Sequence, residues 1–218
     1  MKSDTVLFID KPTGTTSFSV IRQLRKVLDT RKIGHGGTLD PMATGLLIVG
    51  VGSGTKQLTE VIGSDKTYEA RIQFGTKTTT GDLDGDYVKG NSDVYVSKEK
   101  LKKVLKEMIG SMILEVSPYS AIKQGGEPVY KKVLRGDVYI TPKREMVIYE
   151  AEMIFFDEKE QFTDVVFKVA SGTYVRSLGE ELAKRLGTFG HLTKLRRISI
   201  GDWHVSEAHP VDYFKKEE

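Results

Sequence analysis

The chain contains no cysteine. That absence excludes disulfide scaffolds, Cys-ligated zinc, iron–sulfur clusters and thiol nucleophiles together. Charge of one sign is not in large excess: 33 lysines and arginines face 30 acids, a formal net charge of +3 over 218 residues. The pairing of low hydrophobicity with high net charge that marks disorder is therefore missing. No apolar run approaches the ~20 residues that a membrane-spanning helix needs. The amino terminus, Met1-Lys2-Ser3-Asp4 and a short apolar run ended by Asp10-Lys11-Pro12, lacks the pattern of a secretory signal. A cytoplasmic protein without a membrane partner is the expectation.

Several motifs are incomplete. Gly50-Val51-Gly52-Ser53-Gly54-Thr55-Lys56 has neither the adjacent Gly-Lys nor the following Ser/Thr of a phosphate loop, and Thr55 stands at the third glycine of the dinucleotide fingerprint. Asp82, Asp84 and Asp86 alternate like the start of a calcium loop, but Tyr87 and Asp93 stand where glycine and glutamate belong. His35, His191, His204 and His209 form no zinc spacing, and no Gly-x-Ser-x-Gly elbow exists. No metal or cofactor is expected.

The elements that are present suit an α+β fold. Val6–Asp10 and Leu46–Val51 read as buried strands, and 66–74, 112–116, 146–156, 162–169 and 195–203 as further strands. Val20, Ile21, Leu24, Val27 and Leu28 recur at helical spacing after Ser17, read as an N-cap. Helices are also predicted over 97–109, capped by Ser97, and 174–186, stopped by Gly187. Residues 29–45 and 75–93 read as loops. Helices scattered among strands without βαβ alternation predict a mixed sheet in one domain over 1–218. Residues 171–197 hold six cations (Arg176, Lys184, Arg185, Lys194, Arg196, Arg197) against Glu180 and Glu181, compatible with a polyanion partner or with a solvated face.

The informative stretch runs Gly34-His35-Gly36-Gly37-Thr38-Leu39-Asp40-Pro41-Met42-Ala43-Thr44-Gly45. It is a glycine-rich loop that delivers one carboxylate, Asp40, just before a buried strand. Pro41 restricts Asp40 to extended geometry. Taken alone, the loop reads equally well as a structural turn.

This loop resembles the signature of the TruB family of pseudouridine synthases, and further segments resemble that family in order. They are Asp10-Lys11-Pro12-x-Gly14 with Thr16-Ser17, Lys66-Thr67-Tyr68, and Gly75-x-x-Thr78-x-Thr80-x-Asp82-x-x-Gly85. Ser117-Pro118-Tyr119-Ser120-Ala121-Ile122-Lys123, Gly172-Thr173-Tyr174-Val175-Arg176 and His191-Leu192-Thr193-x-Leu195-Arg196-Arg197 complete the set. The resemblance runs from about residue 7 to about residue 200. It implies a pseudouridine synthase fold, with a largely antiparallel central sheet flanked by helices beside an active-site cleft. It also implies isomerisation of a uridine in the T-loop of tRNA, at the position called 55, without redox change, energy donor or metal.

By resemblance Asp40 is the catalytic carboxylate, adding to the sugar or removing a sugar proton. Arg176 is its counter-charge, offsetting the rise in pKa that a closed pocket would impose. Tyr68 stacks on the uracil and is the candidate for removing the C5 proton. Tyr174 packs beside the catalytic pair. His35 fills the space of the flipped nucleotide, Leu195 closes the apolar wall, and Lys11 and Pro12 brace the loop. Lys194, Arg196, Arg197, Lys184 and Arg185 are expected to neutralise T-arm phosphates. Base extrusion costs a few kcal/mol, and stacking returns roughly 1–3 kcal/mol per base.

Relatives commonly continue into a small RNA-binding module of the PUA type, for which this sequence leaves no room, so a catalytic domain alone, monomeric, is expected. Ser117-Pro118 stands where Pro-Pro is usual. Two other readings remain: a non-catalytic RNA-binding protein, against which the intact Asp40, Tyr68 and Arg176 argue, and a glycoside hydrolase. The latter generally needs two carboxylates, and the sequence offers no second acid in a comparable setting.

Overall fold

A computed structural model describes residues 5–91, 94–117, 119–120 and 122–214. Two positions of the expected substrate-side segment, Pro118 and Ala121, lie outside the described residues. In chain order the elements are β1 (Thr5–Lys11), α1 (Ser17–Val27), β2 (Ile33–His35), β3 (Thr44–Val51), α2 (Leu58–Gly63), β4 (Lys66–Phe74), β5 (Thr76–Thr78) and β6 (Tyr87–Gly90). There follow α3 (Lys98–Glu107), β7 (Gly110–Glu115), β8 (Lys123–Gln124), β9 (Glu127–Pro128), α4 (Val129–Arg135), β10 (Lys143–Asp157), β11 (Phe162–Val169), α5 (Val175–Leu186), β12 (Gly190–Ile200) and β13 (Trp203–His204). Short 3₁₀ turns cover Gly52–Gln57, Val205–Glu207 and Val211–Phe214. The architecture is α+β with mostly antiparallel ladders. The chain forms two compact units, Met1–Glu69 with Lys194–Glu218 and Ala70–Thr193, and passes between them within β4 and again within β12.

In the first unit β1 and β2 run antiparallel to β3, while β12 pairs with it in parallel, Arg196 opposite Thr44 and Arg197 opposite Gly45. Seven of the eight β3 residues are buried, because both its faces are covered. On one face Leu47, Val49 and Val51, with Leu7 and Ile9, meet Val20, Ile21 and Leu24 of α1 and Val211 and Phe214 near the end of the chain. On the other, Leu46 and Ile48 meet Leu58 and Val61 of α2 and Ile200. A strand buried on two faces reads as a continuous apolar run, which is why Leu46–Val51 shows no alternation. The α1 helix buries the stripe its periodicity announced. Its cap is Thr16, whose side chain accepts from the Ser19 amide. Ser17, the expected cap, is instead the first helical residue and points inward.

In the second unit β10 pairs antiparallel with both β7 and β11, and α3 and α5 supply the packed helices. Strand β4 alternates cleanly, burying Lys66, Tyr68, Ala70, Ile72 and Phe74 on one side. The Ser97 cap and the Gly187 stop stand where the sequence placed them, the glycine left-handed at φ +86°. The region expected as a loop over 75–93 carries a small hairpin, β5–β6, in register Thr76 opposite Gly90. Helix α4, ended by left-handed Gly136, was not foreseen. Its seven residues are too few for a periodic signal.

Candidate active site

In the first unit, the loop between β2 and β3 carries Asp40, half-buried, with Leu39 (buried) before it and Pro41 (exposed) after it. Asp40 and Ala43 close a turn, the Ala43 amide donating to the Asp40 carbonyl at 3.1 Å. Irregular segments of this kind owe their backbone groups partners from elsewhere, and here those partners are side chains with long reach. Ser17 Oγ accepts from the Leu39 amide at 2.9 Å and donates to the Leu39 carbonyl at 3.1 Å, in a fully buried contact. Lys11, 0 % exposed, donates from Nζ to the carbonyls of Pro12, Thr15 and Pro41. The Gly14 amide donates to the same Pro41 carbonyl at 2.9 Å, and Thr13 Oγ1 to that of Met42 at 3.1 Å. Arg197, 1 % exposed, donates to Leu46 O at 2.7 Å and Gly37 O at 3.1 Å. Asp40 is thus flanked on both sides by pinned peptide units.

This geometry corrects the assignment of Arg197 to RNA phosphates. Its guanidinium is turned inward onto carbonyls, where no phosphate can reach it. Arg196 forms a bidentate pair with Asp10 at 2.8 and 3.0 Å, leaving little of its charge for a ligand. Lys194 is exposed on β12, and Leu195, buried, offers its carbonyl to Thr44 Oγ1. Pro12 is exposed, and Tyr68 is 8 % exposed on the buried side of β4. His35 is half-buried at the end of β2. Burial, and then the Arg197 charge, lower its pKa, so the ring is neutral at pH 7. Lys66 donates to Val61 O, Ile62 O and Ser64 O at the end of α2, and burial followed by Arg197 lowers its pKa to about 8.

Gly45 completes the support. It is left-handed at φ +100°, and a Cβ there would lie 2.3 Å from the Arg197 carbonyl oxygen, so only glycine lets β3 and β12 approach here.

In the second unit, Tyr174, half-buried, precedes α5, and Arg176 stands in the first turn of that helix, 5 % exposed. Arg176 donates to Thr80 O at 3.0 Å and Tyr119 O at 3.3 Å, and its Nε lies 3.6 Å from Asp82 Oδ2. Asp82, 2 % exposed, also accepts from Thr80 Oγ1 and from the Asp84 amide. The expectation that no second acid shares such a setting is therefore wrong. Asp82 is a buried carboxylate beside the arginine, and its place in Thr78-x-Thr80-x-Asp82 was the available signal. Among the described residues, no three His, Asp or Glu side chains are placed to hold a metal ion. No helix there is long and apolar enough to cross a membrane.

Ser17 and Gly45 are the supports that sequence reasoning missed. The motif contained both, but a serine before a helix reads as a cap, and a glycine at a strand start reads as a turn.

Comparison with known proteins matches these segments to one family. A family model described as "TruB family pseudouridylate synthase (N terminal domain)" matches residues 25–175. The tRNA pseudouridine synthase B of Corynebacterium aurimucosum is 38% identical over 209 residues, covering 95% of this chain and 70% of the relative. That of Mycobacterium sp. (strain KMS) is 39% identical with the same coverage. Among solved structures, an H/ACA RNP bound to a substrate RNA containing 2'-deoxyuridine aligns with TM-score 0.72 and 25% identity over 97% of this chain. A Cbf5-Nop10-Gar1 complex aligns with TM-score 0.69 and 26% identity over 92% of it. The chain spans about half the length of those two solved chains, 53% and 50%.

Proposed function

Since the chain belongs to the TruB family of pseudouridylate synthases, an RNA-modifying isomerase acting on tRNA, we propose that its target is the T-loop uridine and that Asp40 is the catalytic carboxylate. The reaction breaks the bond from C1′ to N1 of uracil, turns the base, and joins C1′ to C5. The C5 proton leaves and N1 gains one, so atoms balance without an oxidant or energy donor. Either course for Asp40, addition to C1′ or removal of the C2′ proton, requires an ionised carboxylate held still.

The observation that carries the reading is the double anchorage of the Asp40 loop, at Leu39 by Ser17 and at Pro41 by Lys11 and Gly14. A reacting group fixed by its neighbours needs no reordering at the moment of reaction, and misplacement by about 1 Å costs on the order of 100-fold in rate. Arg176 is the cation we assign to the Asp40 carboxylate, keeping it ionised once water is excluded. Tyr68 is the face on which the extruded uracil stacks, and we assign it the C5 proton. Tyr174 packs beside the catalytic pair, Leu195 closes the apolar wall, His35 occupies the room vacated in the T-loop, and Pro12 with Lys11 braces the catalytic loop. The partner is the T-arm stem-loop, bound by a monomer. Asp82, already accepting from Thr80 and Asp84 and facing Arg176, is assigned the role of holding that arginine in place.

The test is pseudouridine formation on a T-arm stem-loop, followed by mass-silent modification mapping and by release of the C5 hydrogen. Asp40→Asn should abolish turnover and leave RNA binding largely intact. Normal turnover in that variant overturns the assignment. Free uracil in place of pseudouridine would make the protein a glycosidase.

A further inference from the structure

The cations expected to meet RNA are largely engaged within the protein. Lys184 and Arg185 pair with Glu181, Arg196 with Asp10, and Arg197 is buried, which leaves Lys194 exposed on β12. The open charge of the first unit lies elsewhere. At the C-terminal end of α1, Arg22, Arg25, Lys26 and Arg31 surround an open groove with Asp29 and Thr30. Residues 22–32 carry five cations (Arg22, Arg25, Lys26, Arg31 and Lys32) and one acid, an excess of four, larger than the +3 of the entire chain. Among the described residues none of the five forms an ion pair. Arg22, Lys26, Arg31 and Lys32 are exposed. Arg25 is half-buried, and its Nε is out of solvent without a hydrogen-bond partner. The guanidinium carbons of Arg22 and Arg25 lie 5.7 and 5.9 Å from the ring centre of Phe18, which is 59% exposed.

We propose that this groove is a phosphate-binding surface for the stem of the substrate RNA. The inference rests on the isomerase reading above. Unpaired, predominantly guanidinium cations around a concave surface suit phosphate oxygens, which they meet in bidentate fashion. Their position fits the same substrate. Ser17, at the first turn of α1, is bonded to the Asp40 loop, and the groove lies toward the other end of that helix. Eleven residues of helix span about 16 Å. Over such a length duplex nucleic acid carries on the order of ten phosphates. A hairpin presenting its loop to Asp40 therefore offers stem phosphates at the distance of the groove. These contacts would add affinity without reading sequence.

The experiment compares wild type with the triple variant Arg22→Gln, Lys26→Gln, Arg31→Gln, and with a twin carrying Arg22→Lys and Arg31→Lys. Arg25 is left in place because it is packed. KM and kcat for a tRNA transcript, and equilibrium binding, are measured from 50 to 300 mM salt, after thermal melting shows that all three proteins fold. With three contacts removed, the slope of log K against log salt should fall in magnitude by roughly 3, and KM should rise about tenfold or more at moderate salt. Saturated kcat should stay within about twofold, as expected for positioning contacts remote from the base. The lysine twin should keep the wild-type salt slope, because its charge is unchanged, and lose only part of the affinity, because a point charge replaces the bidentate fork. An unchanged salt slope and KM overturn the proposal, as does a lysine twin whose salt slope falls as far as that of the glutamine variant. If wild type makes no pseudouridine, the isomerase reading fails, while the binding slope still decides the groove.

Discussion

Removing one oxygen atom from the buried Ser17 isolates what the anchorage of Asp40 is worth. In Ser17→Ala the Leu39 amide and carbonyl lose partners at 2.9 and 3.1 Å. Ser17 is 1 % and Leu39 3 % exposed, so water cannot replace the hydroxyl while the loop keeps its place. Each buried group left unsatisfied costs about 1–3 kcal/mol, and partial relaxation brings the pair to about 2–4 kcal/mol. For a chain of this size that lowers Tm by roughly 4–16 °C. Any relaxation that recovers those bonds moves Leu39, and with it the neighbouring Asp40. Since about 1 Å of misplacement costs on the order of 100-fold, single-turnover rates with saturating enzyme should fall by roughly 10- to 100-fold while RNA binding holds. The control is Ser19→Ala on the same turn, whose hydroxyl only accepts from Thr16 and Arg22 near the surface; its effect should stay within about 0.5 kcal/mol. A Ser17→Ala protein that melts and turns over like wild type refutes the reasoning. One that melts early yet reacts at the normal rate shows that Lys11 and Arg197 suffice to place the carboxylate.

Two further outcomes follow from the same unit. Gly45→Ala places a Cβ 2.3 Å from the Arg197 carbonyl at φ +100° and should cost at least about 3 kcal/mol. Gly63→Ala, where no atom lies within 4 Å, should change stability by less than about 1 kcal/mol in either direction; denaturant titration of both proteins checks the contrast. Lys66, with its pKa lowered to about 8 from the ordinary 10.5, carries fewer protons folded than unfolded between those values. Its penalty is therefore fully present below pH 8, and stability should rise with pH from about 8 to 10.5, by up to about 3 kcal/mol. Measured as wild type minus Lys66→Met, the slope should be positive, and a flat or falling difference contradicts the burial argument.

Much of the fold was legible because its signals are local. β4 and β11 begin and end where the sequence places them, and Ser97 and Gly187 mark their helices by chemistry that acts within one turn. What escaped depends on partners distant in sequence. Arg197 looks like a surface cation in the sequence, yet it is buried against backbone carbonyls, as is Lys11, whose bracing role came only with the family resemblance. Ser17 satisfies every local criterion of a cap while Thr16 does that work and Ser17 reaches 22 residues ahead. Asp82 stood among three alternating acids, set apart from Asp84 only by its place in Thr78-x-Thr80-x-Asp82, and the fold turns it toward Arg176. The candidate site was thus visible as a set of residue types, while the rank among them was set by burial.

The carbonyl-lined seats of Lys11 and Arg197 make the loop's rigidity independent of the surrounding electrolyte. Ions screen charges that face solvent over about 10 Å at 0.1 M, but they cannot enter a space occupied by peptide oxygens. Raising ionic strength therefore acts on how RNA is loaded and leaves the placement of the carboxylate untouched. A protein built this way can release its product under conditions that weaken surface attraction without losing the geometry it needs for the next molecule.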